Sequence, residues 1–141
     1  MLKNINPLLS PDLLHVLASM GHGDELAIVD ANFPAAVNAK RLVRLPAIPA
    51  TDALSAVLSV LPLDDFVSEA AYTMEVVGGA AEMPEVVAEF RRIVGDQTGV
   101  GTIERFAFYE RSRNCFAIVQ TGELRLYGNI ILTKGVVRPV G

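Results

Sequence analysis

The first candidate for chemistry is a histidine set between two glycines, at Gly21-His22-Gly23. Flanking glycines let the backbone approach a ligand closely, and an ordinary histidine pKa of about 6.5 allows proton exchange at neutral pH. The apolar run Leu26 to Val29 follows, is typical of a short buried strand, and ends at Asp30. His22 and Asp30 thus stand at the two ends of one predicted strand. A helix-ending glycine, a solvated loop histidine and a capping acid would explain the same residues without chemistry.

Three more polar side chains stand at or near the ends of predicted strands, namely Arg105, Tyr127 and Asn129. Ligands collect at strand ends in open α/β sheets. Together with His22 and Asp30, the set offers an acid or base, a carboxylate and several hydrogen-bond donors, which suits a polyhydroxylated ligand such as a sugar. Each residue also has a structural explanation, as a solvated strand residue, an edge aromatic or a turn former. Sequence spacing alone does not establish that the five meet.

Composition predicts one domain over residues 1–141 that associates with copies of itself. Hydrophobic residues make up 51% of the 141 residues and charged residues only 20%. A chain of this length builds one core, and no apolar run is long enough to cross a bilayer. The surplus of hydrophobic residues therefore favours burial between subunits over an unusually large core in a monomer. The net charge of −4 and the scattered positions of the 12 Lys and Arg residues argue against a nucleic-acid partner.

The reactive side chains are few. The single cysteine, Cys115, begins an apolar run, which favours a core residue over a nucleophile. One cysteine and two histidines show no zinc-ligand spacing, and no cofactor motif is present, so we expect neither a metal nor a cofactor. The N-terminal segment carries Asn4, Asn6 and Pro7 where a signal peptide would be continuously apolar. We therefore expect a cytoplasmic protein.

Capping residues and hydrophobic periodicity predict the elements that must position these side chains. Ser10 and Pro11 begin a helix that Gly21 ends, Thr51-Asp52 caps a second helix, and Pro84 opens a third that ends at Gly95. Strands are predicted over 26–29, 41–45, 70–77, 102–109, 115–120 and 129–133. A loop, with or without a helical turn, is predicted over 32–40, and a turn over 111–114. Arg105 and Tyr109 then share one face of the strand over 102–109. The order predicts an α/β fold, one sheet packed by helices on its faces.

Five motifs, in one order along the chain, resemble the L-fucose mutarotase family, which is related to D-ribose pyranase. They are Gly-His-Gly-Asp-Glu at 21–25, Asp-Ala-Asn-Phe-Pro-Ala at 30–35, Arg-Phe-Ala-Phe-Tyr-Glu-Arg at 105–111, Thr-Gly-Glu at 121–123 and Tyr-Gly-Asn-Ile at 127–130. The resemblance runs from Met1 to about Pro139. It implies an α/β sandwich assembled into a ring-like decamer, with sites near subunit contacts. One departure is Asn32, at a position where we expect His in the fucose enzymes.

The resemblance also implies roles for the candidate residues in exchanging the α and β anomers of a monosaccharide. His22 is implied to be the catalytic proton donor, and Asp30 orients it or a sugar hydroxyl. The implied sugar contacts are Asp30, Arg105, Tyr127 and Asn129. Ring opening and closure need only proton transfers, each worth roughly 10²–10⁴-fold, which is consistent with the expected lack of a cofactor. Three alternatives stay open: a D-ribose pyranase, a non-catalytic sugar-binding or transport-accessory protein, and an oligomeric scaffold.

Overall fold

The computed structural model describes residues 1–79 and 82–140. Within these ranges the helices are α1 Pro11–Ser19, α2 Ala35–Asn38, α3 Ala50–Leu58, α4 Glu85–Val94 and α5 Arg105–Asn114, and a 3₁₀ turn covers Gly95–Gln97. The strands are β1 Glu25–Val29, β2 Leu42–Leu45, β3 Glu69–Met74, β4 Gly99–Ile103, β5 Ala117–Thr121 and β6 Ile130–Thr133. They form one mixed sheet in the order β2-β5-β1-β6-β3-β4. The predicted α/β fold is confirmed.

Strand β1 lies inside this sheet, paired in parallel with β5 and antiparallel with β6. Its apolar residues are fully buried, because both faces of the sheet are covered. Leu26 and Ile28 point into one core cluster, and Ala27 and Val29 point into the other. The continuous apolar run of the sequence is therefore the signature of a strand between two layers of helices.

The helices form two layers. On one face, α1, α3 and α4 contribute Leu13, Leu54 and Phe90 to the larger core cluster. On the other face, α2 and α5 contribute Ala35 and Phe108 to the smaller cluster. The result is a three-layer sandwich with the sheet in the middle.

The helices with clear end signals are confirmed almost to the residue. The Ser10 hydroxyl oxygen accepts the Leu13 N–H at 3.2 Å and caps α1, with Pro11 in the first turn. Helix α4 follows Pro84 and ends at Gly95, whose φ of +58° lies in the left-handed region that favours glycine. Smaller differences affect α3, which begins at Ala50 and not at the predicted Thr51-Asp52 cap, and β3, which ends at Met74.

The predicted strand over 102–109 and the predicted turn over 111–114 are wrong. The strand here is β4, which ends at Ile103, and the aromatic segment after it forms α5. The Glu104 carboxylate accepts the Ala107 N–H at 3.0 Å and caps this helix. Phe108 and Ser112, four residues apart, are fully buried, as expected for one face of a helix. Aromatic residues favour strands in isolation, but here the cap and the buried face decide the structure.

Cys115 lies in the core, as predicted, with 0% of its surface exposed. Burial raises the pKa of its thiol to about 12, so the reactive thiolate is scarce at neutral pH. No helix within residues 1–79 and 82–140 is long and apolar enough to cross a membrane.

A pair of substitutions tests the helical structure of residues 105–114. We expect Phe108→Ala to lower the free energy of unfolding by about 3–5 kcal/mol, because this fully buried ring packs edge-on against Phe33 at 5.8 Å. Phe106→Ala removes a ring that is 63% exposed, and the expected loss is below about 1 kcal/mol. Urea unfolding at a fixed protein concentration measures both values. A strand would place the two rings on one face, so equal losses would contradict the helix.

Candidate functional site

The sheet topology gathers four elements at one edge. Strands β1 and β3 both pair antiparallel with β6, so their ends lie beside the start of β6. Strand β4 runs parallel to β3, which brings the start of α5 to the same edge. A cavity of about 190 Å³ lies there. Its lining residues are Asp30, Asn32, Phe33, Met74, Val77, Arg105, Tyr109, Leu126, Tyr127 and Asn129.

Asp30 and Asn129 form a buried pair in this cavity. The Asp30 N–H donates to Asn129 Oδ1 at 2.8 Å, and Asn129 Nδ2 donates to Asp30 Oδ2 at 3.1 Å. The other carboxylate oxygen accepts the Asn32 N–H at 2.9 Å. Burial nevertheless raises the pKa of Asp30 above its usual value, because few waters stabilise the charge. The site therefore holds a fixed carboxyl group that binds a proton more readily than an ordinary aspartate.

Arg105 and Tyr109 lie one turn apart on α5 and face the cavity together. The Arg105 Nε atom is buried and has no hydrogen-bond partner among the described residues. A buried donor without a partner is costly, so it favours a ligand that brings an acceptor. The Tyr109 ring packs edge-on against Phe33 at 5.3 Å.

Tyr127 adopts a left-handed backbone conformation, with φ of +66°. Its hydroxyl oxygen accepts the Val77 N–H at 3.0 Å. Because that bond uses the oxygen as an acceptor, the hydroxyl hydrogen stays free to donate toward the cavity.

His22 lies at the opposite end of β1 from Asp30. Five residues of strand separate the two ends by about 16 Å, at roughly 3.3 Å per residue, so His22 is not part of the cavity of its own chain. Its Nε2 lies 3.0 Å from Asp64 Oδ1, and its ring is tilted against the exposed Phe66 at 5.1 Å. The Phe66 N–H and the His22 ring both lower the pKa of Asp64. This buried carboxylate fixes the orientation of an otherwise accessible imidazole.

The structure thus brings together four of the five residues singled out in the sequence, and it places His22 apart from them. Two residues of interest were not predicted. The sequence places Tyr109 beside Arg105 on one face of a predicted strand, but a tyrosine in a run of aromatic residues carries no signal of a role in binding. Asp64 gave no signal, because it meets His22 only through the fold, 42 residues away. No group of three His, Cys, Asp or Glu side chains within the described ranges is arranged to hold a metal ion.

The chain is similar in sequence and structure to known proteins. Residues 3–137 match the family described as the RbsD / FucU transport protein family. A curated L-fucose mutarotase from Actinobacillus pleuropneumoniae is 41% identical over 140 residues, covering 96% of this chain and 97% of that protein. The crystal structure of a fucose mutarotase from Streptococcus pneumoniae in complex with L-fucose has a TM-score of 0.91 and 40% identity, covering 97% of this chain and 100% of that one. FucU from Bifidobacterium longum has a TM-score of 0.91 and 38% identity, covering 96% and 100% of the two chains.

The pKa of Asp30 predicts a pH dependence of stability. Because the pKa in the folded protein is raised above 3.8, the folded state binds more protons than the unfolded chain between the two pKa values. The stabilisation that Asp30 contributes is complete below 3.8 and is lost as the pH rises through the raised pKa. We therefore expect the free energy of unfolding of the wild type to fall, relative to Asp30→Asn, as the pH rises. Urea unfolding of both proteins from about pH 4 to about pH 8 measures the difference. A difference that stays constant across this range would show that burial does not raise the pKa of Asp30.

Proposed function

The chain belongs to the RbsD / FucU transport protein family, and from this membership we propose that it is a mutarotase that interconverts the α and β anomers of L-fucose or a related monosaccharide. The observation that carries the proposal is the cavity beside Asp30, which combines a carboxyl group, a buried arginine donor and a free tyrosine hydroxyl hydrogen. At about 190 Å³ it is smaller than the roughly 300–1,000 Å³ of sites for drug-sized ligands, as expected for one sugar ring. Relatives named as L-fucose mutarotases, similar over nearly the whole chain, support the choice of sugar.

The reaction requires two proton transfers. Ring opening removes the proton of the anomeric hydroxyl and adds a proton to the ring oxygen, and closure on the other face of the carbonyl gives the other anomer. We assign His22 as the proton donor and Asp30 as a group that accepts a proton or orients a hydroxyl. Arg105 and Asn129 hold sugar hydroxyls, and Tyr127 donates a hydrogen bond from the cavity wall.

His22 can take this role only if another copy of the chain supplies it. The mouth of the cavity carries exposed apolar side chains, among them Leu126 and Val77, and His22 lies beside the exposed Phe66. A head-to-tail contact would bury both surfaces and carry His22 of the partner subunit to the cavity, with Asp64 orienting its ring. Head-to-tail contacts generate a ring when the rotation between subunits closes, so this contact is compatible with the ring-like homodecamer implied by the motifs.

The remaining expectations belong to the same proposal. One sugar-binding domain spans residues 1–141, of which residues 80, 81 and 141 lie outside the described ranges. The protein acts in the cytoplasm and uses neither a metal nor a cofactor. A non-catalytic role in sugar transport is the second candidate, because the family description names transport.

The first experiment measures anomer exchange directly. Magnetisation-exchange NMR on the anomeric protons of L-fucose, with D-ribose as the comparison and protein in trace amounts, should show faster exchange with L-fucose. Faster exchange with D-ribose alone would identify a pyranase. Binding of sugar with unchanged exchange would identify a binding protein.

A complementation experiment tests the shared site. We expect His22→Ala and Asp30→Asn each to lower the exchange rate by roughly 10²–10⁴-fold, because each removes a group that transfers or orients a proton. Light scattering should show an unchanged assembly for both variants. If the two are unfolded and refolded together in equal amounts, random mixing restores about one quarter of the sites, because an intact cavity then meets an intact His22. A mixture as inactive as its components would contradict a site that is shared between two chains.

A further inference from the structure

Glu123 belongs to the Thr-Gly-Glu motif, and the proposed chemistry does not use it. Only 4% of its surface is exposed, although it is a charged residue. Its carboxylate accepts the backbone N–H of Arg125 at 3.1 Å and two hydrogen bonds from the guanidinium of the same residue, at 3.1 and 3.0 Å. The Arg125 guanidinium holds the pKa of Glu123 below its usual value. A buried, ionised carboxylate with this many partners is a fixed point in the loop.

The backbone around Glu123 is anchored to the end of β1 and to the residues beside Asp30. The Glu123 carbonyl oxygen accepts the N–H of Ala31 at 2.9 Å. The Glu123 N–H donates to the hydroxyl oxygen of Thr121, which in turn donates to the Val29 carbonyl at 2.8 Å. The motif therefore fastens the loop that follows β5 to the end of β1.

The rest of the loop closes around the Glu123 side chain. A Cβ atom at Gly128 would lie 2.7 Å from Glu123 Cγ, so the backbone at this position packs directly against the glutamate. Gly128 separates Tyr127 from Asn129, the two loop residues that present polar side chains to the cavity. A change in the packing of Glu123 is therefore expected to shift both Tyr127 and Asn129.

Tyr127 needs such a support. A residue with a side chain is strained in the left-handed region, and such a conformation persists only where the surroundings determine it. Arg125 adds a second tether, because its guanidinium also pairs with Glu89 on α4. The loop is thus fixed to β1 on one side and to α4 on the other.

We propose that Glu123 is a positioning residue, which acts with Arg125 to hold Tyr127 and Asn129 against the sugar. The assignment of the cavity to a sugar rests on the proposed function. Glu123 itself lines no part of the described cavity and transfers no proton. Replacing its side chain keeps the backbone bond from Ala31 that fixes the chain beside Asp30, but lets Tyr127 relax out of its strained conformation. The expected result is weaker binding of the sugar.

Two measurements on Glu123→Gln test this role. By anomer-exchange NMR, the KM for L-fucose should rise about tenfold while kcat changes by less than about threefold, because binding contacts are lost and proton transfer is kept. Independently of activity, the three tyrosines can be replaced by 3-fluorotyrosine and observed by ¹⁹F NMR. The Tyr127 signal, assigned with Tyr127→Phe, should shift or broaden, whereas the signal of Tyr72, which lies under the Arg111 guanidinium, should not move.

Matched variants separate positioning from stability. Glu110→Gln removes an exposed carboxylate that pairs with Arg113 on α5, and it should change neither KM nor the Tyr127 signal. If Glu123→Gln does not fold, Arg125→Met provides the same test, and Arg125→Lys should recover part of the lost affinity. A lower melting temperature with unchanged KM and an unchanged Tyr127 signal would overturn the proposal. If the wild type exchanges neither sugar, the proposed function fails, and the ¹⁹F signals alone decide the role of Glu123.

Discussion

The structure depends on β1, which is hydrogen-bonded to a neighbouring strand along each of its two sides. Its pairing with β5 and β6 fixes the separation of its two ends, with His22 before one end and Asp30 after the other. The antiparallel direction of β6 is what brings Asn129 to the Asp30 end. A parallel β6 would start beside His22, and the buried Asp30 carboxyl would lose the side chain that holds it.

Helix α5 follows the same axis along one face of the sheet. Arg111 in its second half donates three hydrogen bonds to Glu25 at the start of β1 and lies over the ring of Tyr72 at 4.1 Å. A helix of ten residues is about 15 Å long, close to the length of the strand, so fastening one end delivers Arg105 to the cavity at the other. The motifs at 21–25 and 105–111 meet in this ion pair. Their charged residues therefore serve the geometry of the site as well as its chemistry.

Features that depend on neighbouring residues could be predicted from the sequence, whereas features that depend on contacts between distant residues could not. Local signals were enough to predict β1 and α4. An unbroken apolar run, or an amphipathic segment with proline at its start and glycine at its end, is compatible with few other secondary structures. Local signals failed for residues 104–109, because alternating aromatic residues also fit a strand. The Glu104 cap and the burial of Phe108 stabilise a helix there instead. Spacing of four residues keeps Arg105 and Tyr109 on one side in either structure, so their proximity was predicted despite the wrong element.

The cavity was predictable in outline because strand ends at one edge of a sheet gather whatever follows them. The contact between His22 and Asp64 was not, because it depends on how the chain between α3 and β3 returns to the start of β1. Glu123 was visible only as part of a motif, and its packing against Gly128 required the fold.

The burial of Cys115 has a consequence outside the site. It is the only thiol in the chain, and it is reached only when α5 and the sheet separate. In the absence of denaturant, the rate at which a thiol reagent modifies the protein therefore reports how often this side of the core opens. The Cys115 thiol can therefore report transient opening of the core on the face of the sheet that α5 covers, where Arg105 and Tyr109 lie.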